Sequence, residues 1–350
     1  MLIENIELTM SHLGLGNLSE YALMVLFGNA HSHHLVAGTG LAPDLLRDKN
    51  ANALYPAYFM TRLSVPETVL LHSFKLWERV SVGVDVKRFG DTLLESRYIL
   101  GREGEVAQDA QTWERQNLPT MEGNNLIVIE NIDAVNVRRK VANPDPDCIA
   151  KLPKARVSPR GVTRSKIVRS RGFETHGVES QRVESQSFES KPPDAAARLE
   201  FANKKPFHYE VLPGRDAAPG HAMIFARFCE IMDAAEYQYF SREFTPALPD
   251  ELITCFSVLD REVFYYGNCY AGETLSIHLR GSLQIFEEGE LLDNCNYVRA
   301  AMLNLDFELF QHRNKSLLAM ARTRKMVAIP MHKQDVISDL QRLVYFSSHS

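Results

Sequence analysis

LWERVSVGVDVKRFGDTL, residues 76–93, returns later in the chain as LDREVFYYGNCYAGETL, residues 259–275. Glu78-Arg79 matches Asp260-Arg261, and Gly90-Asp91-Thr92-Leu93 matches Gly272-Glu273-Thr274-Leu275. One offset of 182 serves both anchors (260 − 78 and 272 − 90), so the chain reads as two copies of one domain. In the first copy Val80, Val82, Val84 and Val86 alternate with Ser81, Gly83, Asp85 and Lys87, the period of a half-buried strand. Gly90 and Gly272 stand where the chain must reverse, and glycine tolerates the positive φ of such a turn.

Upstream of each copy lies a greasy helix. Residues 2–10 alternate apolar and polar and read as a first strand. GLGNLSEYALMVLFGNAH follows, residues 14–31, with Asn17 and Glu20 spaced as a capping box and Gly28 placed to close the helix. Residues 21–27 are apolar on every side, which marks a buried helix. The second half repeats the plan with a strand at 207–212 and a helix in PGHAMIFARFCEIMDAAEYQYF, residues 219–240. Strands at 305–310 and 317–327 and a short amphipathic helix at 335–344 complete it. A sheet wrapped around one buried helix is the hot-dog fold. The expectation is α+β, a double hot dog, two tandem antiparallel sheets each around its own helix.

If Gly16 matches Gly220, the helix offset is 204, and the first half carries 22 extra residues (204 − 182) within 31–66. That stretch holds His31, His33 and His34 and the run ALYPAYF, where a site is expected to be elaborated. The histidine spacing lacks the cysteine or carboxylate that would complete a metal set, so no metal is expected and a polar loop is. Tyr55 opens a strand at 55–63, with Tyr55, Ala57 and Phe59 on one face and Tyr58 and Met60 on the other.

The 350 residues are 45% hydrophobic and 24% charged with a net charge of −5, an ordinary globular balance with no call for a polyanionic partner. The five cysteines are scattered with no CxxC, which fits free thiols in a cytoplasmic protein. The N-terminus has neither a basic lead nor a long apolar run, and no stretch is long enough to span a bilayer, so no membrane is expected. Between the halves, residues 138–171 carry eleven Lys/Arg against Asp145 and Asp147, and VESQR, VESQS and FESKP follow in 178–192. Few aromatics and many Ser, Arg and Pro make this a solvated linker. Without aromatics between the charges, nucleic acid is not expected to bind it. The division is 1–142, an N-terminal hot dog; 143–205, linker; and 206–350, a C-terminal hot dog.

MSHLGLGNLSEYALM (10–24), ALYPAYF (53–59), GRDAAPGHAMIFARFCEIMD (214–233) and YYGNCYAGETL (265–275) resemble the bifunctional acyltransferase/decarboxylase family of leinamycin-type polyketide biosynthesis. The likeness covers both halves and not the linker. The family's Asn-Gly before the second helix is replaced by Ala218-Pro219. The resemblance implies a double hot dog that takes methylmalonyl from coenzyme A onto a tyrosine oxygen. It then releases CO₂ and passes propionyl to the phosphopantetheine thiol of an acyl carrier protein. Tyr55 matches the family's nucleophile, with Tyr58 as the fallback. A free phenol ionises near about 10, so donors must favour the attacking phenolate and the oxyanion and enolate that follow. Asn17, Ser19, His31 and the first N–H groups of the Asn17 helix are the candidates. Tyr58, Asn268 and His221 are assigned to substrate binding. No cofactor is expected, because the thioester is itself the electron sink. The partners are an acyl-CoA and an acyl carrier protein, with a homodimer left open.

Two other classes stay open. One is a hot-dog thioesterase or dehydratase; a dehydratase needs a histidine and a carboxylate on one substrate, with His221 and Asp216, or His31 and Asp44, as the pairs at hand. The other is a non-catalytic acyl-binding module.

Overall fold

The computed structural model describes residues 2–14, 17–40, 46–51, 54–89, 93–107, 110–113, 116–129, 140–141, 152–154, 195–217, 223–292, 296–333, 335–336, 338–340 and 342. The first half contributes β1 (Leu2–Glu7), α1 (Glu20–Thr39), β2 (Leu54–Ser64), β3 (Arg79–Phe89), β4 (Leu93–Arg102) and β5 (Thr120–Ile129). The second contributes β6 (Ala195–Ala202), β7 (Phe207–Glu210), α2 (Phe225–Gln238), β8 (Phe256–Tyr265), β9 (Thr274–Leu291), β10 (Tyr297–Gln311) and β11 (Leu317–Pro330). These strands form one antiparallel sheet in the order β1-β3-β4-β5-β2-β8-β11-β10-β9-β7, with β6 also on β9. The order reads alike from either end, five strands to a half, and the halves join where β2 pairs with β8. This is the double hot dog expected from the sequence. One hydrophobic core runs through both halves and takes in both helices.

Two details fix which residues of the halves correspond. The β2–β5 ladder slips between Tyr58 and Met60, and the β8–β11 ladder slips between Val258 and Asp260. Tyr58 therefore corresponds to Val258, and their cross-strand partners Asn125 and Lys325 correspond to each other. The helices agree as well. The buried positions Leu23, Met24, Leu26, Phe27, Ala30 and His31 repeat the spacing of Phe228, Cys229, Ile231, Met232, Ala235 and Glu236.

This overturns the match that joined residues 76–93 to 259–275. That match equates β3 with β8, whereas the sheet equates β8 with β2 and β3 with β9. Both stretches are a strand running into Gly-acid-Thr-Leu, so they share local turn chemistry rather than position. The 22 extra residues shrink to five: His31 lies 27 residues before Tyr58 (58 − 31), and Glu236 lies 22 before Val258 (258 − 236). β3 also differs from a half-buried strand: Ser81 and Asp85 are buried along with the four valines. At Phe59 the bulge breaks the regular alternation expected of β2, and both Phe59 and Met60 are buried.

α1 differs from expectation at both ends. Its N-cap is Ser19, whose Oγ accepts from the Ala22 N–H at 3.0 Å, a contact worth about 1 kcal/mol, while Asn17 lies in a two-residue strand against Gly14. The helix does not stop at Gly28. It runs to a left-handed Gly40 (φ 74°), whose N–H donates to the Val36 carbonyl at 2.8 Å. His31, His33 and His34 are helical, not loop. Gly28 serves packing instead: a Cβ there would lie 3.2 Å from Phe225 Cε1, so its absence lets α2 come close.

β6 occupies the end of the segment read as linker. Most of the basic tract and all of the VESQ repeats lie outside the described residues. No helix among the described residues is long and apolar enough to cross a membrane.

Candidate functional site

A polar cluster lies inside the first half, among residues that the core should make apolar. His31 projects from the third turn of α1 and is 3% exposed. Its Nδ1 lies 3.0 Å from the Ser96 hydroxyl on β4. Its Nε2 is buried with no partner. Tyr58, on β2 just before the bulge, shares a hydrogen bond with Tyr98 of β4, hydroxyl to hydroxyl at 2.8 Å. The His31 ring sits 5.9 Å from the Tyr58 ring and 6.5 Å from that of Tyr98. Asn125, on β5 directly across from Tyr58, is 0% exposed; it bears on the Tyr58 phenol, yet among the described residues neither its amide nitrogen nor its oxygen makes a well-formed hydrogen bond. An unpaired buried polar group costs about 1–3 kcal/mol. Three such atoms in one cluster are a standing cost that a bound polar group would relieve.

The electrostatics are those of a buried, neutral cluster. Burial, with His34 adding to it, lowers the His31 pKa to about 3, so the ring is neutral. Burial pushes the Tyr58 phenol up to about 12, against the weaker pull of Tyr98 and Asn125. Tyr98 is raised further by the same cause. Neither phenol ionises near neutral pH. The Ser96 contact ties the His31 tautomer to the hydroxyl's orientation: where Ser96 donates to Nδ1, Nε2 carries the ring N–H.

The corresponding place in the second half is filled. Glu236 stands for His31 and Lys325 for Asn125, and the two form a buried ion pair at 2.7 Å. Val258 replaces Tyr58. Lys325 also reaches Asp233 at 2.9 Å, Asp233 holds Arg261 at 2.7 Å, and Arg261 Nε lies 3.0 Å from Glu20 of α1. Three acids and two bases thus pack at the seam. At this position the second half sets Glu236 against Lys325, whereas His31 Nε2 and the Asn125 carboxamide of the first half face no such ion pair.

The other residues singled out in the sequence are placed as follows. On β2 the Tyr55 backbone pairs with Val128 of β5, at the same end of β2 as Tyr58; the Tyr55 side chain lies outside the described residues, as does that of Asn17. His221 and Asp44 lie outside them entirely. Ser19 caps α1, twelve residues before His31, and is not part of the cluster. The Asn268 side chain is used internally: it donates to the Met223 carbonyl at 3.2 Å and accepts from the Cys269 N–H at 2.8 Å. Asp216 accepts from the Tyr209 hydroxyl, the Leu212 N–H and Arg215, at 2.7, 2.8 and 2.9 Å, which hold its pKa low against burial. Neither dehydratase pair, His31 with Asp44 or His221 with Asp216, falls wholly within the described residues.

Ser96, Tyr98, Asn125 and Phe225 escaped the sequence reading. The signal for Asn125 was present: MEGNNLIVI puts a polar residue at an inward position of an apolar strand.

The architecture is the double hot-dog fold. No protein-family model matches the chain, and no curated protein matches it in sequence. Solved structures do match in fold. A Lactobacillus plantarum protein assigned as an oleoyl thioesterase superposes with a TM-score of 0.52 at 10% identity, covering 94% of this chain and 96% of that one. The 12:0-ACP thioesterase of Umbellularia californica gives 0.50 at 12% identity, with 93% of each chain covered.

Proposed function

We propose that this protein acts on acyl thioesters of coenzyme A or of an acyl carrier protein, and that hydrolysis is its reaction. One observation carries the reading: the unpartnered His31 Nε2 and Asn125 carboxamide, buried around a neutral hydroxyl pair. A thioester carbonyl oxygen would accept from the Asn125 amide and from His31 Nε2–H. Both donors are fixed before reaction, and both strengthen their hold as water attacks and the oxygen becomes anionic. The neutral ring acts as donor rather than base. The Tyr58–Tyr98 pair relays one proton from the attacking water to the departing sulfur, so the products are a free acid and a free thiol. This chemistry requires no metal or organic cofactor. The fold likeness to two thioesterases supports hydrolysis over other thioester reactions.

Decarboxylating acyl transfer through Tyr55 is the second reading, favoured by the ALYPAYF motif lying on the strand that carries Tyr58. The same donors would hold an enolate oxygen after loss of CO₂. Acetyl-, malonyl- and methylmalonyl-CoA and longer acyl-CoAs, followed by thiol release and intact-protein mass, separate the two. Free acid and free thiol without adduct support hydrolysis. A covalent acyl group on tyrosine with CO₂ release, both lost in Tyr55→Phe, supports the second. Binding and turnover indifferent to Asn125→Ala would show that the cluster is not the site.

A further inference from the structure

The first-half cluster has one wall from the second half. Phe225, the first residue of α2, lies with its ring centroid 4.1 Å from that of Tyr58, tilted by 33°. Its other side abuts Gly28 of α1. The ring therefore stands between the polar cluster and the seam of the two helices. We infer that Phe225 sets which acyl groups the site accepts, admitting short ones and excluding long ones. The inference rests on the reading of the cluster as a thioester site.

Three observations support it. On that reading the carbonyl is held at His31 and Asn125, and the Tyr58 ring, 5.9 Å from that of His31 and cross-strand from Asn125, packs against Phe225. An acyl chain running inward along the helices meets that ring within a few carbons. Phe225 is also held in place by its backbone. The Tyr265 hydroxyl donates to its carbonyl at 3.4 Å, and the residue pair before it is clamped, with Asn268 on the Met223 carbonyl at 3.2 Å and the Ile224 N–H on Asp216 at 2.8 Å. α2 has no side-chain N-cap, so these contacts set where the helix starts. Finally, the corresponding residue of α1 is Glu20, tied to Arg261. An aromatic at the start of the helix is thus a property of this site alone. Asn268 becomes a positioning residue, acting on the acyl group through Phe225.

The test is calorimetric binding of acetyl-, butyryl-, octanoyl- and palmitoyl-CoA to the full chain, to Phe225→Ala and to Asn268→Ala. The wild type should bind acetyl- or butyryl-CoA most tightly. Phe225→Ala should raise the ratio of octanoyl to acetyl affinity by about tenfold or more, the usual worth of reshaping an apolar pocket. Asn268→Ala should move the ratio the same way by less. Phe256→Leu, a ring packed on Phe240 away from the cluster, should leave it unchanged. A wild-type preference for octanoyl or palmitoyl, an unmoved ratio in Phe225→Ala, or an equal loss at every length overturns the inference while leaving a thioester site in place. Binding of none of the four by any of the proteins overturns the functional reading and the inference together.

Discussion

Asn125 and Lys325 stand at one register in the two halves, each opposite the residue that precedes a bulge. Lys325 is paired with Glu236 and Asp233; Asn125 makes no well-formed hydrogen bond among the described residues. The same position is thus a strut in one half and an open valence in the other.

Opposite mutational behaviour follows. Lys325→Ala strands a buried Glu236 and should lower unfolding free energy by about 3–5 kcal/mol. Asn125→Ala removes an unpaired amide and should change stability by less than about 1 kcal/mol, while reducing thioester turnover by about a hundredfold or more. Urea unfolding and thiol-release assays on both variants check this. One acyl-CoA per chain in a binding titration is expected for the same reason.

His31 should act as a neutral donor. His31→Ala should reduce kcat by about a hundred- to a thousandfold, and His31→Gln, which restores an N–H, should recover part of it. Its pKa falls from 6.5 in the unfolded chain to about 3 in the fold. The folded state then binds fewer protons, so this group's contribution to stability is full above about 6.5 and is lost as pH falls towards 3. Compared with His31→Phe, the wild type should lose stability more steeply on acidification through that window.

Glu20 should slope the other way. Burial pushes its carboxyl up to about 7, against the pull of Arg261. Here the folded state binds more protons than the unfolded one between 4.5 and about 7, so the contribution is full below 4.5 and is lost as pH rises through 7. Glu20→Gln should flatten that decline in a series of urea midpoints. A decline that persists unchanged in the variant would place the titrating group elsewhere.

Gly28→Ala should destabilise the chain by about 1–3 kcal/mol through overpacking against Phe225. In a Phe225→Ala background most of that cost should disappear. Thermal unfolding of the four proteins gives the coupling directly.

What the sequence revealed depended on range. The buried character of α1 was visible in Tyr21–Phe27, since seven apolar residues leave no polar face. The hot-dog plan followed from one such helix per half. The correspondence between halves was misread because a strand followed by Gly-acid-Thr-Leu occurs in two settings: β3 pairs with the β4 that follows it, whereas β8 does not pair with the β9 that follows it. Gly28 was read as a stop because a glycine needed for close packing and a glycine needed for a left-handed cap are the same letter. Of the site, His31 and Tyr58 were picked out and do come together. Asn125, Ser96 and Phe225 join them only through sheet register and helix crossing, which no short window contains.

At the centre of the sheet Arg62 faces Glu262, each the other's counterpart across the local two-fold. If two copies of the first half assembled alone through this edge, arginine would oppose arginine; two copies of the second would set glutamate against glutamate. Like charges directly opposed across strands disfavour pairing. The duplication has therefore become a matched set rather than a repeated part. Co-expressed as separate polypeptides, the halves would be sorted into unlike pairs, and neither gene fragment could substitute for the other.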